Sequence, residues 1–202
     1  QYLALGWTPA SNPITPVLGK GYWLAGFYNN YDGRIYLLAQ TNYIGRTVTS
    51  FSFTPANWNN YAGWTNHGTV LTETTPFTTC EPHGVIFETQ AMADARTGSS
   101  GSERKWRLYY AGGAGYGETV PVKFAVASET TPTSWSIYGG VYGYGTPYRG
   151  SELICTPDVA IFNNAVWMAV VRIDPYTAFY TKSSNGISGW TDYSTDFAPV
   201  FS

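Results

Sequence analysis

The side chains in this 202-residue sequence best placed for chemistry are carboxylates beside prolines: Glu81 precedes Pro82, Asp158 follows Pro157, and Glu152 lies a little upstream of Pro157. Two carboxylates across a pocket are the minimum for cleaving a glycosidic bond. One delivers a proton while the other activates water or attacks the sugar, and a separation of ~5 to 9.5 Å decides which. The alternative is that these acids are solvated loop groups or hydrogen bond to backbone amides. His83 is the more notable of the two histidines, because it stands next to Glu81-Pro82. Pairing with that acid would raise its basicity; a hydrogen bond to backbone is the other reading. His67 sits in a polar turn and reads as surface.

Aromatic residues form the second group, with seventeen Tyr and eight Trp. Sugars are recognised by aromatic faces that match their C–H surfaces, with polar groups fixing the hydroxyls. Core filling accounts for many of these rings. Tyr138, Tyr142, Tyr144 and Tyr148 fall in a glycine-rich stretch that reads as either a binding surface or a subunit contact, and Trp58 lies in a second polar-aromatic loop. Cys80 and Cys155 show no metal-ligand spacing, and their pairing is open: a bridge, or two buried thiols. No phosphate-binding glycine loop, dinucleotide motif, serine-hydrolase elbow or calcium loop is present, so neither a metal nor a cofactor is expected.

Composition excludes several classes. Charged residues make up 12%, hydrophobic residues 44%, and the net charge is −2, which describes a folding chain. Eleven basic against thirteen acidic residues leave no basic footprint for nucleic acid. The apolar runs fall far short of the ~20 residues of a membrane-spanning helix. The sequence opens at Gln1 without a leader's charged and apolar segments, which fits a secreted or particle-surface protein with its leader removed, or a part of something longer.

The elements that must position these residues are strands. Short apolar and aromatic runs bounded by Gly, Asn, Pro, Ser and Thr recur from end to end, which reads as all-β. Strands are expected at Tyr22 to Tyr28, Arg34 to Gln40, Thr47 to Phe53, Val85 to Glu88, Trp106 to Ala111, Val122 to Ser128, Val159 to Phe162, Val166 to Arg172 and Ala178 to Lys182. The polar stretch Ala91 to Lys105 reads as a mobile insertion between strands. A small residue, Trp and a hydroxyl residue recur at Gly6-Trp7-Thr8, Gly63-Trp64-Thr65, Ser134-Trp135-Ser136 and Gly189-Trp190-Thr191. Pro16 and Pro199 stand at the same offset after the first and last of these tryptophans.

A repeating unit of roughly 55 to 70 residues with four short strands is the signature of a β-propeller-like fold of repeated four-stranded antiparallel blades. Each Trp then marks the start of an outer strand and fills the core between blades. The units expected within a single domain over 1–202 are a partial one at 1–18 (an extra N-terminal outer strand), then 19–75, 76–145 and 146–202. Three fuller blades fall short of the ~4 that a closed propeller needs. The ring is completed by further chain or by another subunit, or the units pack less regularly.

The order Cys155-Thr156-Pro157-Asp158-Val159, then an aromatic strand at Val166-Trp167-Met168, then Ser183-Ser184-Asn185-Gly186 before Trp190, resembles blades of five-bladed furanosidase-type glycosidases such as arabinanases and β-xylosidases. The likeness is close over 80–202 and looser over 1–79. It implies three acids at the mouths of the inner strands. Asp158 matches the tuning acid of the Pro-Asp-Val motif, and Glu81-Pro82 matches an Asp-Pro base with Glu substituted. Glu152 is the candidate for the third acid, although it stands farther from Pro157 than the family's general acid does. In the first unit Asn12-Pro13 offers an amide, which cannot act as a base.

The resulting expectation is a carbohydrate-binding, non-catalytic module of a secreted or particle-surface protein, with a glycan or polysaccharide as partner and a homo-oligomer completing the blade ring. An active furanosidase or xylosidase using Glu81, Asp158 and Glu152 is the enzymatic alternative; a structural or adhesin domain of a fibre or virion is the third. Glu81, His83, Glu152 and Asp158 are expected to converge on one polar depression, bordered by aromatics from Tyr138 to Tyr148.

Overall fold

The computed structural model describes residues 23–41, 45–58, 60–74, 80–111, 122–142, 154–173 and 176–193. The first sheet is made of β1 (Trp23–Asn29), β2 (Arg34–Gln40), β3 (Thr47–Phe53) and β4 (Thr65–Thr72). The second holds β5 (Glu81–Phe87), β6 (Trp106–Ala111), β7 (Val122–Ala127) and β8 (Ser136–Tyr142). The third holds β9 (Ile154–Phe162), β10 (Ala165–Ile173), β11 (Tyr176–Ser183) and β12 (Thr191–Tyr193). Every sheet is a meander in chain order, antiparallel throughout. This is the blade plan read from the repeat. The sheets fall within 19–75, 76–145 and 146–202; residues 1–18, including Trp7, lie outside the described residues.

The alternation of a two-residue period sets the faces. In β1, Ala25, Phe27 and Asn29 are buried while Leu24, Gly26 and Tyr28 are exposed. The buried face packs on the second sheet: Ala25, Phe27, Tyr36 and Leu38 share one cluster with Trp106, Leu108 and Tyr110. On its other side the second sheet contributes Ile86, Tyr109 and Phe124 to a cluster with Val166, Met168 and Val170 of the third. β5 therefore packs between β1 and β9, and these three are the inner strands. The outer strands β4, β8 and β12 begin at the residue directly after Trp64, Trp135 and Trp190. Trp135 stands edge-on to Phe27 of the preceding sheet, and Trp190 packs on the cluster between the second and third sheets. Both fill seams between blades, as large rings do most economically.

The insertion after β5 differs from expectation. It carries a helix, α1 (Gln90–Thr97), with Met92 and Ala93 buried. The Thr89 hydroxyl caps its start by accepting from Met92 N at 3.3 Å, and Gly98 at φ +76 ends it. Its anchor is Glu88, whose carboxylate receives Arg96 at 2.9 and 3.0 Å and Arg107 at 2.6 and 3.1 Å. Arg107 also donates to Asn185 O of the third sheet at 3.0 Å. A polar composition concealed this stretch because its order comes from ion pairs formed across the fold.

Candidate functional site

The inner strands begin at one end of the assembly. Gln40, paired with Trp23 at the start of β1, donates from Nε2 to Gly45 O at 3.0 Å, and Cys80 N, just before β5, donates to the same oxygen at 3.0 Å. At the other end Trp106, opposite Phe87, reaches Asn29 Oδ1 at 3.2 Å. Arg107, opposite Ile86, reaches the turn after β11, whose last residues pair with the start of β10. The starts of β1, β5 and β9 thus form one mouth.

Two of these strands are irregular near that mouth. The β5–β6 register shifts between Pro82 and Gly84, leaving His83 out of the ladder, and the β9–β10 register shifts between Cys155 and Asp158. Bulges re-aim side chains and gather beside functional sites. Just beyond the first bulge, Gly84 lies against Val159: a Cβ there would stand 2.9 Å from Val159 N and closer still to Val159 Cγ2. Only glycine allows the two inner strands to approach this closely.

The bulge brings Glu81 and His83 together. Glu81 is 8% exposed, and its Oε2 is 3.7 Å from His83 Nε2. That nitrogen is shielded from solvent and has no hydrogen-bond partner among the described residues. Beside them stands an acid the sequence reading missed: Glu73, 4% exposed, accepts from Tyr110 Oη at 2.5 Å and Lys123 Nζ at 2.9 Å. It directly follows an outer strand in a polar run, so nothing local marked it. Burial, then the hydrogen bond to Glu73, pushes the Tyr110 phenol well above its usual range. Burial, reinforced by the Glu73 charge, does the same to the Cys80 thiol. Cys80 is an unbridged buried thiol, which settles the pairing left open by the sequence in favour of no bridge.

The other expected residues are placed differently. Asp158 pairs with Ala169, on the face of β9 shared with Ala160 and Phe162 and opposite to Val159. It is exposed, and Oδ1 accepts from Val159 N at 3.0 Å. Asp158 is therefore on the neighbouring inner strand but turned away from the β5 seam. Trp58 is 57% exposed in the β3–β4 connection, at the end opposite the mouth because strand direction alternates. Tyr138 stacks on Phe124 at 4.6 Å and its hydroxyl donates to Arg96 O at 3.3 Å, tying β8 to α1. Tyr142 closes β8 opposite Val122. Its side chain, with Tyr144, Tyr148 and Glu152, lies outside the described residues.

A second polar network sits at the far end of the first sheet. Ser52 Oγ lies 2.7 Å from His67 Nε2 and accepts from Arg34 Nε at 3.0 Å. The distance suits a serine–histidine dyad, but Ser52 has no exposed surface and offers no nucleophile to a substrate. Burial, then the Arg34 charge, holds the His67 pKa below its usual value.

No protein-family profile and no curated protein sequence matches the chain. Solved structures do match. A Bombyx mori GH32 beta-fructofuranosidase aligns with a TM-score of 0.59 and 14% identity, over 87% of this chain and 35% of that one. An endo-arabinase from Bacteroides thetaiotaomicron aligns at 0.56 and 8%, over 89% and 56%. An alpha-L-arabinofuranosidase from Fusarium graminearum aligns at 0.56 and 8%, over 93% and 52%. The chain thus spans from about a third to just over half the length of these structures. At such identities the likeness concerns the fold, and the fold is that of consecutive blades from furanosidase-type propeller glycosidases.

Proposed function

We propose that this chain is a carbohydrate-binding, propeller-like module of a secreted or particle-surface protein, with its glycan site at the mouth and without turnover. The observation that carries this reading is the Glu81–His83 pair, set at the bulged start of an inner strand with the His83 Nε2 unsatisfied among the described residues. The second buried acid of the mouth, Glu73, has both carboxylate oxygens engaged within the protein, one by Tyr110 and Lys123 and the other by Thr74 N. Asp158 and Glu152 remain the partners that a hydrolase would need, and turnover of furanoside or xyloside polysaccharides is the alternative.

The experiment is incubation with arabinan, xylan and aryl glycosides, reading both binding and product. Binding without product supports the module. Turnover abolished by Glu81→Gln or Asp158→Asn overturns the binding-only reading in favour of a hydrolase.

The outward faces favour a further reading, in which copies of the chain complete the blade ring. Leu24 and Tyr28 are 44% and 47% exposed on the outer face of the first sheet, and Phe162 is 61% exposed on that of the third. A single mass in solution equal to one chain at high concentration argues against it. The same test addresses a structural or adhesin role.

A further inference from the structure

We infer that His83 is a direct ligand contact, and that its Nε2 takes a hydroxyl of an uncharged sugar with Glu81 holding the other side of that hydroxyl. This rests on the glycan-binding reading and adds the contacting atom and the charge class of the ligand. Buried polar atoms are paired in the great majority of cases. His83 Nε2 is shielded yet unpaired among the described residues, and Glu81 Oε2 at 3.7 Å is beyond hydrogen-bond range while near enough to act electrostatically.

A hydroxyl fits this arrangement because it both donates and accepts. It accepts from an Nε2–H and at the same time donates its own hydrogen to the Glu81 carboxylate, whose oxygens only accept. An anionic group at Nε2 would sit close to the Glu81 carboxylate, whose Oε2 is 3.7 Å away, and would meet repulsion. Uronic-acid ligands are therefore disfavoured against neutral ones. The bulge explains why this side chain is available: in a regular ladder His83 would take its turn in the alternation and face one sheet or the other.

The sequence holds two histidines, so His67→Asn leaves the His83 imidazole as the sole such signal in a nitrogen-edited NMR spectrum. Neutral arabino- and xylo-oligosaccharides and oligogalacturonate are titrated in turn. A shift of the His83 Nε2 resonance with a neutral oligosaccharide, and a weaker or absent one with oligogalacturonate, is expected. In the otherwise unaltered chain, His83→Phe should weaken affinity about tenfold, the loss of one good hydrogen bond, while His83→Gln, which carries an amide to nearly the same place, should retain most of it. If no oligosaccharide binds the unaltered chain, the glycan reading fails and this inference with it. If sugars bind but the imidazole signal and the His83→Phe affinity are unchanged, the glycan reading stands and the inference is overturned, with a buried water as the partner of Nε2. Tighter binding of oligogalacturonate overturns the charge assignment.

Discussion

Replacing Gly84 with alanine tests the approach of β5 to β9, on which the geometry of the mouth depends. The added methyl would stand 2.9 Å from Val159 N and nearer to Val159 Cγ2, and the backbone nitrogen cannot rotate away. Gly84 is absent from the glycines at positive φ, so the cost is steric and carries no backbone penalty. Overpacking of this kind costs roughly 1–3 kcal/mol. In a chain of this length each kcal/mol lowers the melting temperature by about 2–4 °C, which places the expected fall at roughly 2–12 °C. Thermal and urea unfolding give the number. The mechanism is read from a double-mutant cycle with Val159→Ala, which removes Cγ2 but leaves the nitrogen. Partial relief is expected, seen as coupling between the two sites. Gly98→Ala serves as the control: it has open space around it and φ +76, so it should lose stability through its backbone alone and show no coupling to Val159. A Gly84→Ala chain that melts within about 1 °C of the parent, or strict additivity with Val159→Ala, refutes the close approach.

Glu88→Gln should cost about 3–5 kcal/mol in urea unfolding, because it strands the fully buried Arg107 guanidinium without its counter-charge; a loss below about 1 kcal/mol would show that the pair is not buried in solution. His67 is held below its unfolded value near 6.5. Its contribution to stability is present above that value and is lost as pH falls through the folded pKa. The parent chain should therefore lose more stability than His67→Asn on acidification from pH 7, and parallel profiles would contradict the assignment. In a Cys155→Ser chain, Cys80 should resist a thiol-disulfide reagent while folded and react only on unfolding, since burial keeps its thiol protonated and covered. Fast labelling of the native state would show an open mouth.

The blade plan was legible in the order of residues because its causes are local and periodic. Short apolar and aromatic runs mark β2 and β6, Gly33 at φ +67 closes the first hairpin, and a tryptophan precedes each outer strand. The same reading singled out Glu81 and His83, which are neighbours in the chain and remain neighbours in the fold. Contacts between distant residues left no such trace. Glu73 reaches Tyr110 and Lys123 across the end of a seam, and α1 is pinned by an ion cluster joining Glu88, Arg96 and Arg107. Orientation was hidden too: one shift of register decides which face a strand residue takes, and so Asp158, beside the proline motif that drew attention to it, turns away from the β5 seam. Local propensity and period choose the strands and their order, whereas partners separated by dozens of residues, and the face each side chain presents, exist only once the sheets have packed.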